Sequence, residues 1–255
     1  MKLVGHFAPP EKITMTPASH CHIAVFDQAI VALDMQRSRY FLYDEACAKA
    51  FADHYLDFKP IDAPHALKPL ISDRIVVAAS PASVPKRIAD YRGWAFDAFD
   101  SGIWASRTLG ERSAAGFEWL PFWRIVRGAV SLKMRGFRAL SALDRLARLD
   151  AGAEQRARTD GGPSRTAERY LRASIWSPFR ITCLQMSFAL ATHLRRENVP
   201  AQLVIGVRPM PFVAHAWVEI DGRVCGDEPE LKKSYGEIYR TPRHDERAGP
   251  FGLAA

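Results

Sequence analysis

The chain has 255 residues, 48% of them apolar and 25% charged, enough for one large domain or two small ones with a real hydrophobic core. Its 35 Lys and Arg against 28 Asp and Glu leave a formal charge of +7. No window approaches the roughly 18 uninterrupted apolar residues of a membrane span, so this is the composition of a globular protein, with no membrane association expected.

The chain opens on "MKLVGHFAPP", one lysine followed by polar, Gly and Pro residues where a secretory signal would carry an apolar run, which places it in the cytoplasm. "HCH" at 20 to 22 offers metal ligands. Neighbours in an extended segment point to opposite faces, however, and no second ligand pair is near, so no metal is expected. From Ile23 to Tyr43 the short apolar pieces "IAVF", "IVAL" and "RYFLY" read as a three-strand meander. Asp44 then caps a short helix in which Cys47 faces the core. "APHALKPLISDRIVVAA" is a helix, or a helix and a strand, closed by "SPASVPK".

Residues 88 to 108, with Tyr91, Trp94, Phe96, Phe99 and Trp104, read as helical. Phe122, Ile125, Val126, Ala129, Leu132, Leu140, Leu143 and Leu146 then mark one side of a long helix whose other side is basic. Between Pro121 and Arg180 there are 13 Lys and Arg against 5 Asp and Glu, a surplus of 8 that covers the whole net charge. With no RNP aromatics, helix-turn-helix glycine or finger spacing, a solvated helix face outweighs nucleic acid, and an acidic peptide or protein partner stays open. "DAGAEQRARTDGGPSRTAER" breaks the periodicity and reads as an exposed linker.

The C-terminal third carries the chemistry. A helix from about Cys183 to Glu197 leads through "NVPA" to the strands "QLVIGV", "FVAHAWVEI" and "RVCGD", an α+β unit. Thr182 with Gln185 matches a capping box, which makes Cys183 the first helical residue, where free amides and the dipole favour a thiolate. A competing start at Ser177 and Pro178 would bury Cys183 in the second turn. His193, ten positions on and roughly 15 Å away along the helix, is too far to act as its base. The other three cysteines, Cys21, Cys47 and Cys225, form no CxxC and are expected as free thiols.

For the hairpin, a three-residue loop of Ile220, Asp221 and Gly222 pairs Glu219 with Arg223, Trp217 with Cys225 and His215 with Asp227, matching charge and burial together. A two-residue Asp-Gly turn would put Asp227 on the other face and Glu228 opposite His215. With Asp227 orienting His215, and the Cys183 helix packed on this hairpin, the three form a Cys-His-Asp set with His215 as base and acid.

"RITCLQMSFALATHLRRENVPAQLVIGV" followed by "PFVAHAWVEIDGRVCGD", roughly residues 170 to 228, resembles the leader peptidase domain of lasso peptide biosynthesis, a transglutaminase-like cysteine protease. The resemblance implies that Cys183 is the nucleophile, His215 the base and Asp227 the orienting acid. Residues 20 to about 80 are similar to the peptide-recognition module of modified-peptide biosynthesis. The layout expected is thus α+β: a winged-helix-like leader-recognition module at 1 to 90, a helical connecting region at 91 to 150, and a transglutaminase- or papain-like peptidase domain at 151 to 255. The implied activity is removal of the leader from a ribosomal precursor, freeing the core for an asparagine synthetase-like, ATP-dependent lasso cyclase. Such modules capture the leader as an added strand, which assigns leader binding to the edge at Arg39, Tyr40, Phe41 and Leu42. No GxxxxGK[ST] is present, so no cofactor is expected and any nucleotide requirement falls to the cyclase. An acyltransferase on the same fold and a non-catalytic precursor carrier remain as alternatives; the intact Cys, His and Asp speak against the carrier.

Overall fold

The computed structural model describes residues 15–59, 64–78, 88–96, 118–146, 162–175 and 177–242. The fold is α+β, as the patterning implied, with two four-stranded sheets. Strands β2 (Cys21–Val25), β3 (Ile30–Asp34) and β4 (Arg39–Tyr43) form the expected antiparallel meander. Alternation along the strands sends Ile23, Val25, Ile30 and Ala32 into a core with helix α1 (Glu45–Tyr55). Ala24, Phe26, Val31 and Leu33 enter a second core made with helices of the C-terminal half. A sheet buried on both faces needs near-continuous apolar strands, which is why "IVAL" does not alternate.

Asp44 caps α1, its Oδ1 accepting from the Cys47 amide at 2.9 Å, and Cys47 is buried. A 3-10 turn at Pro64–Leu67 runs into α2 (Lys68–Ser72), then β5 (Val76–Ala78), which pairs with β1 (Met15–Pro17). "SPASVPK" lies outside the described residues. The sheet order is β4-β3-β2-β6, with the short β6 (Ala89–Asp90) parallel to β2 and β4 at the edge.

Three expectations for the middle of the chain need correction. Residues 88 to 96 are not helical: β6 leads to a turn, and the ring of Tyr91 stacks on Phe26 at 5.5 Å and meets Trp94 edge-on. Here tertiary aromatic packing sets the spacing that resembled a helix. Phe99 and Trp104 lie outside the described residues.

The long basic helix is instead α3 (Trp119–Arg135), a 3-10 turn at Gly136–Leu140 and α4 (Ser141–Arg145). The break is at Gly136, with φ +57, where a Cβ would stand 1.9 Å from Ser38 Oγ; that hydroxyl accepts the Phe137 amide at 2.8 Å. The turn between β3 and β4 therefore plugs the break, and a side chain at 136 would close it. Helix α3 packs on α5 and α6 and buries Ile125 and Gly128, while Trp119, Leu120, Trp123, Val130 and Met134 stay exposed. The linker reading fails from residue 162 on, because α5 (Gly162–Ile175) forms there and buries Ala167, Tyr170 and Ala173 on one stripe. Residues 150 to 161 lie outside the described residues.

Helix α6 (Cys183–Arg196) lies against the second sheet, ordered β10-β7-β8-β9 from β7 (Ala201–Arg208), β8 (Val213–Ile220), β9 (Arg223–Cys225) and β10 (Gly236–Arg240). A short helix α7 (Leu231–Ser234) precedes β10; neither was anticipated from the sequence. Strand β10 reaches the first sheet, where Tyr91 donates to the Glu237 carbonyl at 3.0 Å and His22 meets the Tyr239 ring. Among the described residues, no helix is long and apolar enough to cross a membrane.

The register of the β8-β9 hairpin also differs from expectation. Val218 pairs with Cys225, Glu219 with Val224 and Ile220 with Arg223, leaving a two-residue Asp221-Gly222 turn with both φ values positive. Such a turn matches the twist of the strands and needs no bulge, and this outweighs the charge pairing that favoured a longer loop.

Candidate active site

The capping box at the start of α6 forms as the sequence requires. Thr182 Oγ1 accepts the Gln185 amide at 3.3 Å and Gln185 Oε1 accepts the Thr182 amide at 3.0 Å. Cys183 is thus the first helical residue. The rival start is not used: Ser177 Oγ only accepts the Phe179 amide in a local turn.

One turn further on, Ser187 Oγ donates to the Ala216 carbonyl at 2.8 Å and fastens α6 to β8 beside His215. That bond lies one helical turn from Cys183 and one residue from His215, so a short tie sets the separation of the two positions. His215 bonds the Cys183 sulfur, and its Nε2 meets Asp227 Oδ2 at 2.8 Å. The His215 and Asp227 side chains are 12% and 5% exposed.

Asp227 reaches His215 by a route the sequence reading did not contain. In the observed register a continued strand would turn Asp227 away. The ladder stops at Cys225, and Gly226 at φ +77 swings the chain back so that Asp227 faces the imidazole. A Cβ at Gly226 would also stand 2.6 Å from Ala167 Cβ of α5, so only glycine fits there. Glu228, which a two-residue turn was expected to bring opposite His215, instead gives its backbone amide to Asp227 Oδ1 at 2.9 Å. That bond fixes the carboxylate.

The electrostatics favour a charged pair. Burial raises the Cys183 thiol, but His215 and the Ala216 and Leu184 backbone outweigh it and hold the thiol below its ordinary value. Burial lowers His215, yet Asp227 and the Cys183 sulfur raise it to about 9. Cys47 and Cys225, without such neighbours, are pushed up to about 11 by burial. The lowered thiol and the raised imidazole both favour a thiolate beside an imidazolium.

Cleavage should accordingly rise with pH as Cys183 ionises and fall near pH 9 as His215 loses its proton, a bell that kcat/KM profiles would record. Because the folded His215 value is raised, its contribution to stability is full below its unfolded value of about 6.5 and is lost as pH climbs through the folded one. A profile with no decline on the alkaline side would contradict the pair.

Three features around Cys183, His215 and Asp227 escaped the sequence reading. Tyr235, just before β10, stacks on His215 at 5.6 Å and Trp217 lies alongside at 6.2 Å, which limits the imidazole to rotation in its plane. Trp217 is held in turn: its Nε1 donates to Glu219 Oε1 at 2.8 Å, and the buried Glu219 pairs with Arg240 at 2.9 Å and Lys232 at 3.1 Å. The third is Tyr40 of β4, whose ring meets Phe137 and Phe212 at 5.7 and 5.6 Å and which feels the Cys183 charge. Only the strict alternation of β8, with His215, Trp217 and Glu219 two apart, signalled any of this in advance.

Of the four edge residues, Arg39 is exposed, Leu42 is 48% exposed, Phe41 stacks on Tyr43, and Tyr40 points toward the C-terminal half. His20, Cys21 and Asp34 lie within 4.8 Å of one another, closer than the opposite-face argument allowed, because the β2-β3 register sets Cys21 opposite Asp34. Asp34 Oδ1 already accepts the Gln36 and Arg37 amides.

Residues 125–240 match the transglutaminase-like superfamily, a span that begins inside α3 and ends with β10. The chain is similar to the microcin J25-processing protein McjB of Escherichia coli, 46% identical over 60 residues, which are 24% of this chain and 29% of that protein. The likeness thus spans less than a third of either chain. No solved structure matches.

Proposed function

We propose, on the premise of a transglutaminase-like segment that ends at β10, that this chain is a cysteine peptidase which removes the leader from a ribosomal lasso peptide precursor. The observation that carries this reading is a thiol at a capped helix start, bonded to an imidazole that is itself bonded to a buried carboxylate. The likeness to a microcin-processing protein supports a peptide precursor as the substrate.

In this reading the Cys183 thiolate attacks the carbonyl at the end of the leader. The His215 imidazolium gives its proton to the departing amine, which leaves as the free N-terminus of the core. The leader remains as a thioester on Cys183. His215, now neutral, takes a proton from water, and the resulting hydroxide releases the leader as a carboxylic acid. Asp227 meets the His215 ring at 2.8 Å and holds it in one tautomer. The core would then pass to the partner cyclase.

The open edge of β4 supports leader capture by strand addition at Arg39 to Leu42. Because Tyr40 lies in that strand and feels the Cys183 charge, a leader paired there would run toward the nucleophile. A proline at an outward-facing amide of this edge removes one donor and should weaken leader binding about tenfold. Anisotropy of a labelled leader peptide measures it, with circular dichroism confirming an intact fold. Unchanged affinity would move the leader site elsewhere.

A further inference from the structure

Helices α3, α4 and α6 border a half-open cavity of about 390 Å³ that the peptidase reading does not use. Arg124 and Arg127 from α3 and His193 and Arg196 from α6 line it, with Trp123 at its side. His193 is ten residues from Cys183 along one helix, so the cavity is a site apart from the reacting sulfur. No Asp or Glu among the described residues lines it. Two acids of the surrounding helices are engaged: Glu118 with Arg169 at 3.0 Å and Arg172 at 3.6 Å, and Glu197 with His193 Nε2 at 2.5 Å.

Seven buried side-chain polar atoms among the described residues have no hydrogen-bond partner, and two belong to residues that line this cavity. They are Arg124 Nη1, on a side chain that also reaches Tyr170, and His193 Nδ1. His193 is 6% exposed. Burial lowers its pKa by more than the bond to Glu197 raises it, and the nearby Arg124 and Arg169 lower it further. Native interiors rarely leave such groups unpaired without a ligand, water or ion to receive them. Converging guanidinium forks select an anion with several oxygens. The volume exceeds a bare ion and falls in the range of small-molecule pockets, about 300 to 1,000 Å³. Leu120, Phe188 and the Trp123 ring supply apolar wall beside the hydroxyl-bearing Ser131 and Thr192.

We infer that this cavity binds a phosphate group carried by a small molecule with an apolar or aromatic portion. Arg124 and Arg196 take the phosphate oxygens, and Trp123 and Phe188 cover the rest. The same surplus of positive charge that the sequence concentrates between Pro121 and Arg180 supplies two of the arginines.

The test is thermal unfolding of the full chain at constant ionic strength with phenyl phosphate, inorganic phosphate or matched chloride. At millimolar levels the general salting effect of phosphate is small. Phenyl phosphate should raise Tm saturably, by about 5 °C near a hundredfold excess over Kd, and phosphate should do so more weakly. The double variant Arg124→Gln, Arg196→Gln should lose both shifts. Trp123→Ala, at a ring already 54% exposed, should keep the phosphate shift and lose the preference for phenyl phosphate. No saturable shift, or a shift that survives the double variant, would overturn the assignment. Cleavage is not measured, so the result is independent of the peptidase reading.

Discussion

Replacing Cys183 with alanine is expected to abolish cleavage, a loss of roughly 10⁵-fold or more if the set behaves like other nucleophile-base pairs, while leader affinity changes by no more than a few-fold. The expectation rests on three local facts. The sulfur stands at the capped start of α6, it bonds His215, and its ionisation is favoured over that of the buried Cys47 and Cys225. Cys21→Ser and Cys47→Ala should leave turnover largely intact, with a packing penalty, since both side chains fill the core beneath α1. Retained cleavage by the Cys183 variant would end the cysteine peptidase reading.

The second large effect is expected at Asp227. Asp227→Asn keeps the shape but removes the charge that does most to raise His215, so the imidazolium partner of the thiolate is weakened. Turnover should fall by about 10³ to 10⁴, as when a serine triad loses its orienting carboxylate, and the alkaline limb of the pH profile should move to lower pH. Glu228→Gln should be nearly silent, because Glu228 contributes its backbone amide and not its carboxylate to the arrangement. A severe loss in the Glu228 variant with a mild one at Asp227 would reverse the roles. Single-turnover cleavage of the two variants side by side reads the difference.

The Asp227 case also marks how far the sequence can be read. The pairing of His215 with Asp227 is observed, but the reasoning through a three-residue loop is not, since the ladder runs Val218 to Cys225. A strand-pairing argument assumes that alternation continues to the end of the strand. It has no means of seeing that Gly226 leaves the β region because Ala167 of a distant helix occupies the space beside it. Features set by residues close in sequence were legible: the Asp44 cap, the Thr182-Gln185 box and the meander each need only a few neighbours.

Features set at a distance were not. The break at Gly136 depends on Ser38, about a hundred residues earlier, and the aromatic cluster at Tyr91 depends on Phe26. Helix α5 hid in a Gly-, Ser- and Arg-rich stretch because its apolar stripe is only Ala167, Tyr170 and Ala173. Strand β10 hid in "GEIYR" because its charged residues serve a buried network with Glu219, where polar identity is no sign of exposure.

The most direct test of the central claim uses a leader peptide that ends in a thiol-reactive chloromethyl ketone in place of the bond to the core. Incubated with the full chain and analysed by peptide mass mapping, it should attach once, at Cys183, and labelling should fall as pH rises through about 9 with the loss of the His215 proton. Excess unmodified leader should slow it by competition. Attachment at Cys21, Cys47 or Cys225, or labelling of Cys183 that is indifferent to both leader competition and the Asp227→Asn substitution, would contradict a leader-directed nucleophile activated by His215 and Asp227.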